Sequence, residues 1–288
     1  MTTYIVDHNP HRVDIDAMLR INTDLARKII VGFIRDAVTK VGFSKAVLGL
    51  SGGIDSAIVA YLTAEALGPE NLLVVRMPYR TSSEGSLTDA QAVIDDLKLP
   101  SLTVEITPMV QPLIDQFPDM NALRKGNIMA RQRMIILYDQ SVAWNGLVVG
   151  TSNKTEALLG YSTLYGDGAA ALHPIGDLYK TQIRQLARAV GVPAAIIDKP
   201  PSADLWLGQT DEGELGISYA EVDRMLYLLV DGRYSEEETA AEGFDLALVK
   251  RIWRRVRLNH FKRTMPNIAK VSRRSIGHDF LYLRDWAG

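Results

Sequence analysis

The chain has 288 residues, 47% of them hydrophobic and 23% charged, with a formal net charge of −2 at pH 7 and no cysteine. That composition is ordinary for a soluble protein with a substantial core, and the missing cysteines exclude disulfides, thiolate metal sites and a cysteine nucleophile. No apolar run approaches the ~18 residues of a membrane span, and the start, MTTYIVDHNPHRVDID, lacks a secretory pattern, so a cytoplasmic protein is expected.

In chain order, a leading helix is expected around Asp16–Val41, then a buried strand at 46–50 (Ala-Val-Leu-Gly-Leu). The phrase SGGIDS follows, and from Ser56 the residues Ile58, Val59, Leu62 and Leu67 fall at helical spacing up to the stop at Gly68-Pro69. A strand at Leu72–Met77 leads to a helix opened by the capping box Thr88-Asp-Ala-Gln91 and ending at Leu97. A third strand is read at Leu102–Ile106, a long helix at Leu123–Trp144, a fourth strand at Leu147–Gly150 and a helix at Leu178–Val190. The segments Gly160–Asp177 and everything after Pro200 read as insertions over one core. This alternation predicts an α/β fold: a doubly wound parallel sheet with helices on both faces and a ligand at the carboxyl ends of the strands. We expect a single domain spanning 1–288, with its core at about 20–268 and a basic C-terminal tail at 246–288.

That tail is the one asymmetry of charge. Between Leu246 and His278 there are ten Lys and Arg and no Asp or Glu, so the rest of the chain carries −12 against a total of −2. A phosphate-bearing or nucleic-acid partner would explain it, and so would a solvated helix face paired with acidic surface. Leu246, Val249, Trp253 and Val256 form an apolar stripe, so a packed helix is expected here.

A strand that enters a helix through two glycines gathers free N–H groups at the helix N-terminus, an arrangement that binds phosphate. The loop is not a P-loop, since no Lys follows Gly53, and Gly49, Gly52 and Gly53 are wrongly spaced for a dinucleotide fingerprint. S-G-G-x-D-S instead resembles the pyrophosphate loop of the N-type ATP pyrophosphatases, whose Rossmann-like fold matches the alternation above. Members cleave ATP between the α- and β-phosphates and adenylate an oxygen. Ser51, Gly52, Gly53 and Ser56 would donate to the leaving pyrophosphate, and Asp55 would hold Mg²⁺.

Further phrases narrow the resemblance: KGNIMARQRM (125–134), VVGTSNKTEALLGYSTLYGDGAAALHPIGDLYKTQ (148–182), KPPSADLWLGQTDEGELGISY (199–219) and FKRTMP (261–266). Together with SGGIDS they resemble the NAD⁺ synthetase family over about residues 20–268. The resemblance implies an ATP- and Mg²⁺-dependent ligase that forms a C–N bond. It would amidate deamido-NAD⁺ with ammonia through an acyl-adenylate, releasing AMP and pyrophosphate, as the final step of NAD⁺ biosynthesis. It implies Mg²⁺ ligands at Asp55 and Glu156. It implies ATP contacts from Gly49, Leu50, Ser51, Gly52, Gly53, Ile54, Asp55 and Ser56, and from Arg76, Thr151, Lys180 and Ser202. Arg131 and Lys262 would meet deamido-NAD⁺, and no covalent nucleophile is implied. A homodimer is implied as well, with no nucleic-acid or membrane partner.

The chain departs from the family pattern at Leu164 (usually Lys), Ala171 (usually Asp) and Phe261 (usually His), all on the nicotinate side, where His173 is a candidate substitute. Other readings stay open: a GMP-synthetase-like or tRNA-modifying adenylating enzyme, or a non-catalytic nucleotide sensor. Without a cysteine the chain has no glutaminase nucleophile, so ammonia would arrive free or from a separate protein.

Overall fold

The structure is a computed structural model that describes residues 13–200 and 211–275. Two capped helices open it, the short α1 (Ile15–Met18) and the longer α2 (Thr23–Thr39). The expected single leading helix is broken because Asn22 turns its side chain onto the Leu25 amide at 3.0 Å and starts a new helix there. Strand β1 (Lys45–Gly49) runs through the glycine loop into α3 (Ile54–Leu67), and β2 (Leu72–Arg76) runs into α4 (Glu84–Leu97). Helix α4 starts one turn before the predicted capping box. Ser83 caps the Ser86 amide at 3.1 Å, while the Thr88 hydroxyl merely donates to the Glu84 carbonyl inside the helix.

Strand β3 covers only Ser101–Thr103, shorter than the predicted 102–106. The amides of Val104 and Ile106 still bond the Arg76 and Pro78 carbonyls, but at Ile106 the chain turns into α5 (Thr107–Asp115). The two prolines of α5 hid it from pattern reading, although Pro108 suits a first turn, where an amide would lack a helical partner in any case. Next come α6 (Ala122–Trp144), β4 (Gly146–Val149), α7 (Lys154–Leu159), α8 (Lys180–Val190) and α9 (Ala194–Ile197). Beyond the undescribed stretch lie α10 (Asp211–Leu215), α11 (Tyr219–Leu226), α12 (Glu236–Ala241) and α13 (Leu246–Leu258).

The four strands are parallel in the order β3-β2-β1-β4, so the sheet reverses its winding direction at β1. Alternation along β1 and β2 feeds two cores. Ala46, Leu48, Leu72 and Val74 pack under α2, α3, α4 and α8, whereas Val47, Leu73 and Val75 pack under α5 and α6. Helix α3 is buried on nearly every side, consistent with its place at the centre of the first layer. A third cluster joins α1, α7, α11 and α13 through Leu159, Tyr219, Val222, Met225, Leu226, Val249, Ile252 and Val256. In α13 the buried stripe is Val249, Ile252 and Val256. Leu246, predicted to be part of it, is exposed, and Trp253 is half-buried.

Candidate active site

The carboxyl ends of β1, β2 and β4 open into a cavity of about 730 Å³. Such a cleft is expected beside the strand where the winding reverses. Gly49, Leu50, Ser51, Gly53, Ile54, Asp55 and Ser56 line it, together with Arg76, Thr151, Glu156, Lys180 and Lys262.

The glycine loop is tied into one shape. Ser51 and Ser56 share a hydroxyl contact at 3.0 Å, and the Ser56 hydroxyl also donates to the Gly53 carbonyl and accepts from the Ser51 amide. Gly52 has φ of +80°, and a Cβ there would lie 2.1 Å from the Ser86 carbonyl oxygen, so no other residue fits. The first helical bond of α3 runs from the Ala57 amide to the Gly53 carbonyl, so the amides of Ile54, Asp55 and Ser56 have no partner within the helix, while those of Ser51 and Gly53 bond the loop's own serine hydroxyls. Gly52 itself braces the loop and is not part of the cavity wall.

At the end of this loop sits a buried ionic cluster. The Lys180 ammonium, only 3% exposed, donates to both Asp55 and Glu156, the latter at 3.1 Å. Burial alone would lower the Lys180 pKa, but the charges of Asp55 and Glu156 outweigh it and hold the value well above the usual lysine range. Glu156 is pushed up to about 7, chiefly by burial and further by the charge of Asp55, with Lys180 opposing. Asp211 lies close enough for its charge to be felt at Glu156, and burial raises its own pKa. It accepts hydrogen bonds from Tyr161 and Tyr219, each at 3.2 Å. Three carboxylates against one ammonium leave a surplus of buried negative charge. Asn153 orients the cluster by donating to Asp55 at 3.1 Å while capping the Glu156 amide at 2.9 Å.

Arg76 reaches Gln91 at 2.6 Å through one guanidinium nitrogen, while its buried Nε has no partner among the described residues. Thr151 follows β4 directly at the cavity wall. Ser202, with most of the KPPSADLW phrase, lies outside the described residues. The structure also brings in residues that sequence reading missed. Arg133 lines the cavity and donates to the Met77 carbonyl at 3.0 Å, and Asp211 lines it from α10. The helical register of A-R-x-R could have pointed to Arg133. Asp211 had no signal beyond its place in the QTDEGELG phrase.

The far end of the cavity is built from α6, the 160–169 loop and α13. Lys262 donates to the Gly160 and Ser162 carbonyls, both at 2.7 Å, and its half-burial lowers its pKa. Arg263 holds the Ala157 and Leu158 carbonyls, and Arg255 holds that of Leu159. These three cations satisfy consecutive carbonyls at the C-terminus of α7, where positive charge also suits the helix dipole. Lys250 and Arg257 pair with Glu237 and Glu236 on α12. At least half of the ten positive charges in the tail are thereby engaged within the fold.

Arg131 is exposed, does not line the cavity, and donates to the Leu164 carbonyl at 3.3 Å. His173 lies outside the lining as well. A Cβ on Gly150 would sit 2.4 Å from its Nδ1, and burial lowers its pKa, so it presents no cation to the cavity. Ala171 donates a backbone hydrogen bond to the Val148 carbonyl, and Phe261 is exposed. Among the described residues no helix is long and apolar enough to cross a membrane.

Comparison with known proteins agrees with this geometry. The family model described as NAD synthase matches residues 26–266. A protein of Trichlorobacter lovleyi named NH(3)-dependent NAD(+) synthetase is 58% identical over 268 residues, covering 93% of this chain and 98% of that one. The solved NH3-dependent NAD synthetase of Campylobacter jejuni, in complex with the nitrate ion, superposes with a TM-score of 0.75 at 35% identity. It covers 87% of this chain and 100% of that one. The NMN synthetase of Francisella tularensis gives the same TM-score at 31% identity, covering 87% and 99%. With a sheet, a loop and a cavity of the matching kind, and relatives aligned over nearly its whole length, this chain belongs to the NAD synthase family.

Proposed function

We propose that the cavity amidates deamido-NAD⁺ with free ammonia, using ATP. The observation that carries this reading is the Lys180–Asp55–Glu156 cluster at the mouth of the glycine loop, inside a cavity of about 730 Å³, within the usual range for small-molecule and cofactor sites. The nicotinate carboxylate oxygen attacks the α-phosphorus of ATP, and the bond to pyrophosphate breaks. Ammonia then adds to the acyl carbon of the adenylate, AMP departs, and a proton is lost.

The amides and hydroxyls of Gly49–Ser56 receive the leaving pyrophosphate, with Lys180 and Arg76 supplying positive charge and Thr151 and Ser202 completing the ATP contacts. Two hard carboxylates with surplus negative charge around them fit Mg²⁺, which keeps most of its coordination for water and phosphate oxygens. No group of three acidic or imidazole side chains among the described residues could hold a metal unaided, which suits that division. When bound by Asp55 and Glu156, Mg²⁺ would neutralise charge on the departing phosphates.

Lys262 and Arg131 serve the deamido-NAD⁺ side. We read Arg131 as acting in a homodimer, for it shares an exposed stripe of α6 with Ile135, Tyr138 and Val142. Beside them stand the exposed Met109 and Leu113 of α5 and Phe117 just after it, an apolar face of the kind that protein partners cover. A cytoplasmic location accords with this role.

The test is direct. Purified protein incubated with ATP, Mg²⁺, deamido-NAD⁺ and ammonium yields NAD⁺ and AMP in equal amounts, and glutamine freed of ammonia does not replace ammonium. Absence of AMP under these conditions overturns the reading. Parallel reactions with nicotinate mononucleotide test the substrate class against the activity named for the Francisella relative.

A further inference from the structure

One buried acid of the molecule plays no part in the chemistry above. Asp223 lies on α11 with no exposed surface and does not line the cavity. Its Oδ1 accepts from the Thr155 hydroxyl at 2.6 Å, and its Oδ2 accepts from the Thr181 amide at 2.8 Å. The same Thr155 oxygen accepts from the Lys180 amide at 3.0 Å. Thr155 precedes Glu156 in the first turn of α7, and Lys180 and Thr181 form the first turn of α8. A single carboxylate therefore binds together the starts of the two helices that carry Lys180 and Glu156.

The helix that supplies Asp223 also touches Lys180 from above. Tyr219, one turn earlier on the same face of α11, sets its ring 5.1 Å from the Lys180 ammonium and directs its hydroxyl to Asp211. Backbone and side chain of Lys180 are thus both located from α11. Asp55, the third member of the cluster, stands on α3, which belongs to the sheet layer. Its distance from Lys180 and Glu156 depends on how the starts of α7 and α8 are set, and α11 ties those two starts together, alongside the packing of α8 on α3 and the Asn153–Asp55 bond.

We propose that Asp223 is a positioning residue for the nucleotide site, holding Glu156 and Lys180 against Asp55 through the Thr155 hydroxyl and the Thr181 amide. The inference rests on reading the cavity as a Mg²⁺–ATP site. Outer carboxylates that orient metal-binding side chains typically change metal affinity or activity by about 10–100-fold when removed, and the same range is expected here.

Thr155→Val is the sharpest variant, because valine keeps the shape and loses the hydroxyl, while Thr155→Ser keeps the hydroxyl. Asp223→Asn accompanies them. Circular dichroism and thermal unfolding first establish that each is folded. Calorimetric titration with a non-hydrolysable ATP analogue and Mg²⁺ then reads the site without turnover, and steady-state kinetics read KM for ATP and for deamido-NAD⁺ separately. Expected results are binding of the analogue weakened about tenfold or more in Thr155→Val and Asp223→Asn, a raised KM for ATP only, and near-normal behaviour of Thr155→Ser. Wild-type affinity in folded Thr155→Val, or equal rises in both KM values, overturns the proposal. Wild-type protein that binds the analogue but makes no NAD⁺ would sink the proposed reaction and leave the calorimetric comparison to decide on Asp223. Wild-type protein that fails to bind the analogue overturns both.

Discussion

The two ends of the cavity are built on different plans. At the glycine-loop end, charge is concentrated and buried: Lys180 lies between Asp55 and Glu156, where the loop enters α3. At the far end the cations are turned onto the protein's own backbone, with Lys262, Arg263 and Arg255 each holding carbonyls of α7 or the loop after it. One end is electrostatically loaded for a ligand, whereas the other is mechanically braced. A buried opposite-charge cluster loses heavily when one member is removed, while a brace divides its load among several bonds.

Lys180→Met should therefore produce the largest effect. It leaves two carboxylates buried without their shared cation, so stability should fall by about 3–5 kcal/mol in urea unfolding. With Lys180 neutralising the leaving pyrophosphate as proposed, its loss should lower kcat about a thousandfold. Retained activity would place the decisive charge elsewhere, with Arg76 the next candidate.

Arg131→Ala probes the opposite end. One lost charge-assisted contact costs about 1.5–3 kcal/mol, so KM for deamido-NAD⁺ should rise roughly ten- to a hundredfold with KM for ATP unchanged. Because Arg131 lies outside the cavity of its own chain, the effect should vanish in a variant that sedimentation shows to be monomeric. Ile135→Glu on the same stripe provides such a variant. An Arg131→Ala enzyme with both KM values unchanged would remove it from substrate binding.

Arg263→Met tests the brace. It removes donors from the Ala157, Leu158 and Val256 carbonyls while keeping the apolar stem. A loss of about 2 kcal/mol is expected, read as a Tm lower by several degrees, with both KM values nearly unaltered. A large rise in KM for ATP alone would mean that the brace acts on Glu156 more directly than described here.

The most gradual effect is on pH dependence, since it is spread over more than two pH units. Glu156 titrates near 7 in the fold against an ordinary 4.5, so the folded protein binds a proton more tightly than the unfolded chain does. Stability from this group is greatest below the unfolded value and declines as pH rises through about 5 to 7. Urea unfolding without nucleotide should show a decline of at most about 3 kcal/mol across that window, and Glu156→Gln should flatten it. A stability that climbs over the same range in wild type but not in Glu156→Gln would reverse the sign of the argument.

The contrast between the ends also explains what the sequence disclosed. The glycine loop was legible because strand, turn and helix N-terminus are contiguous, and local chemistry specifies them together. Glu156 and Lys180 were legible through the order of family phrases, though nothing local reveals that they meet. The brace was not legible, since a backbone carbonyl acceptor leaves no mark on residue identity, and the basic tail could equally have served an anionic partner. Asp223 reads as one polar residue of an amphipathic helix; only packing turns it inward. The α5 helix was concealed by its prolines, and the split between α1 and α2 by an asparagine whose capping role competes with helix continuation.

The brace on α7 bears on how the protein is made. Leu159 and Ala157 are held by Arg255 and Arg263, 96 and 106 positions further along the chain. During synthesis the four strands have all their strand partners once β4 has emerged, and α8 completes the layer and the Asp55 contact soon after. The short helix bearing Glu156 waits for nearly the last segment to leave the ribosome. A nascent chain can thus acquire a folded α/β layer long before it has a finished nucleotide site, and a product terminated ahead of Arg255 would be compact yet catalytically silent.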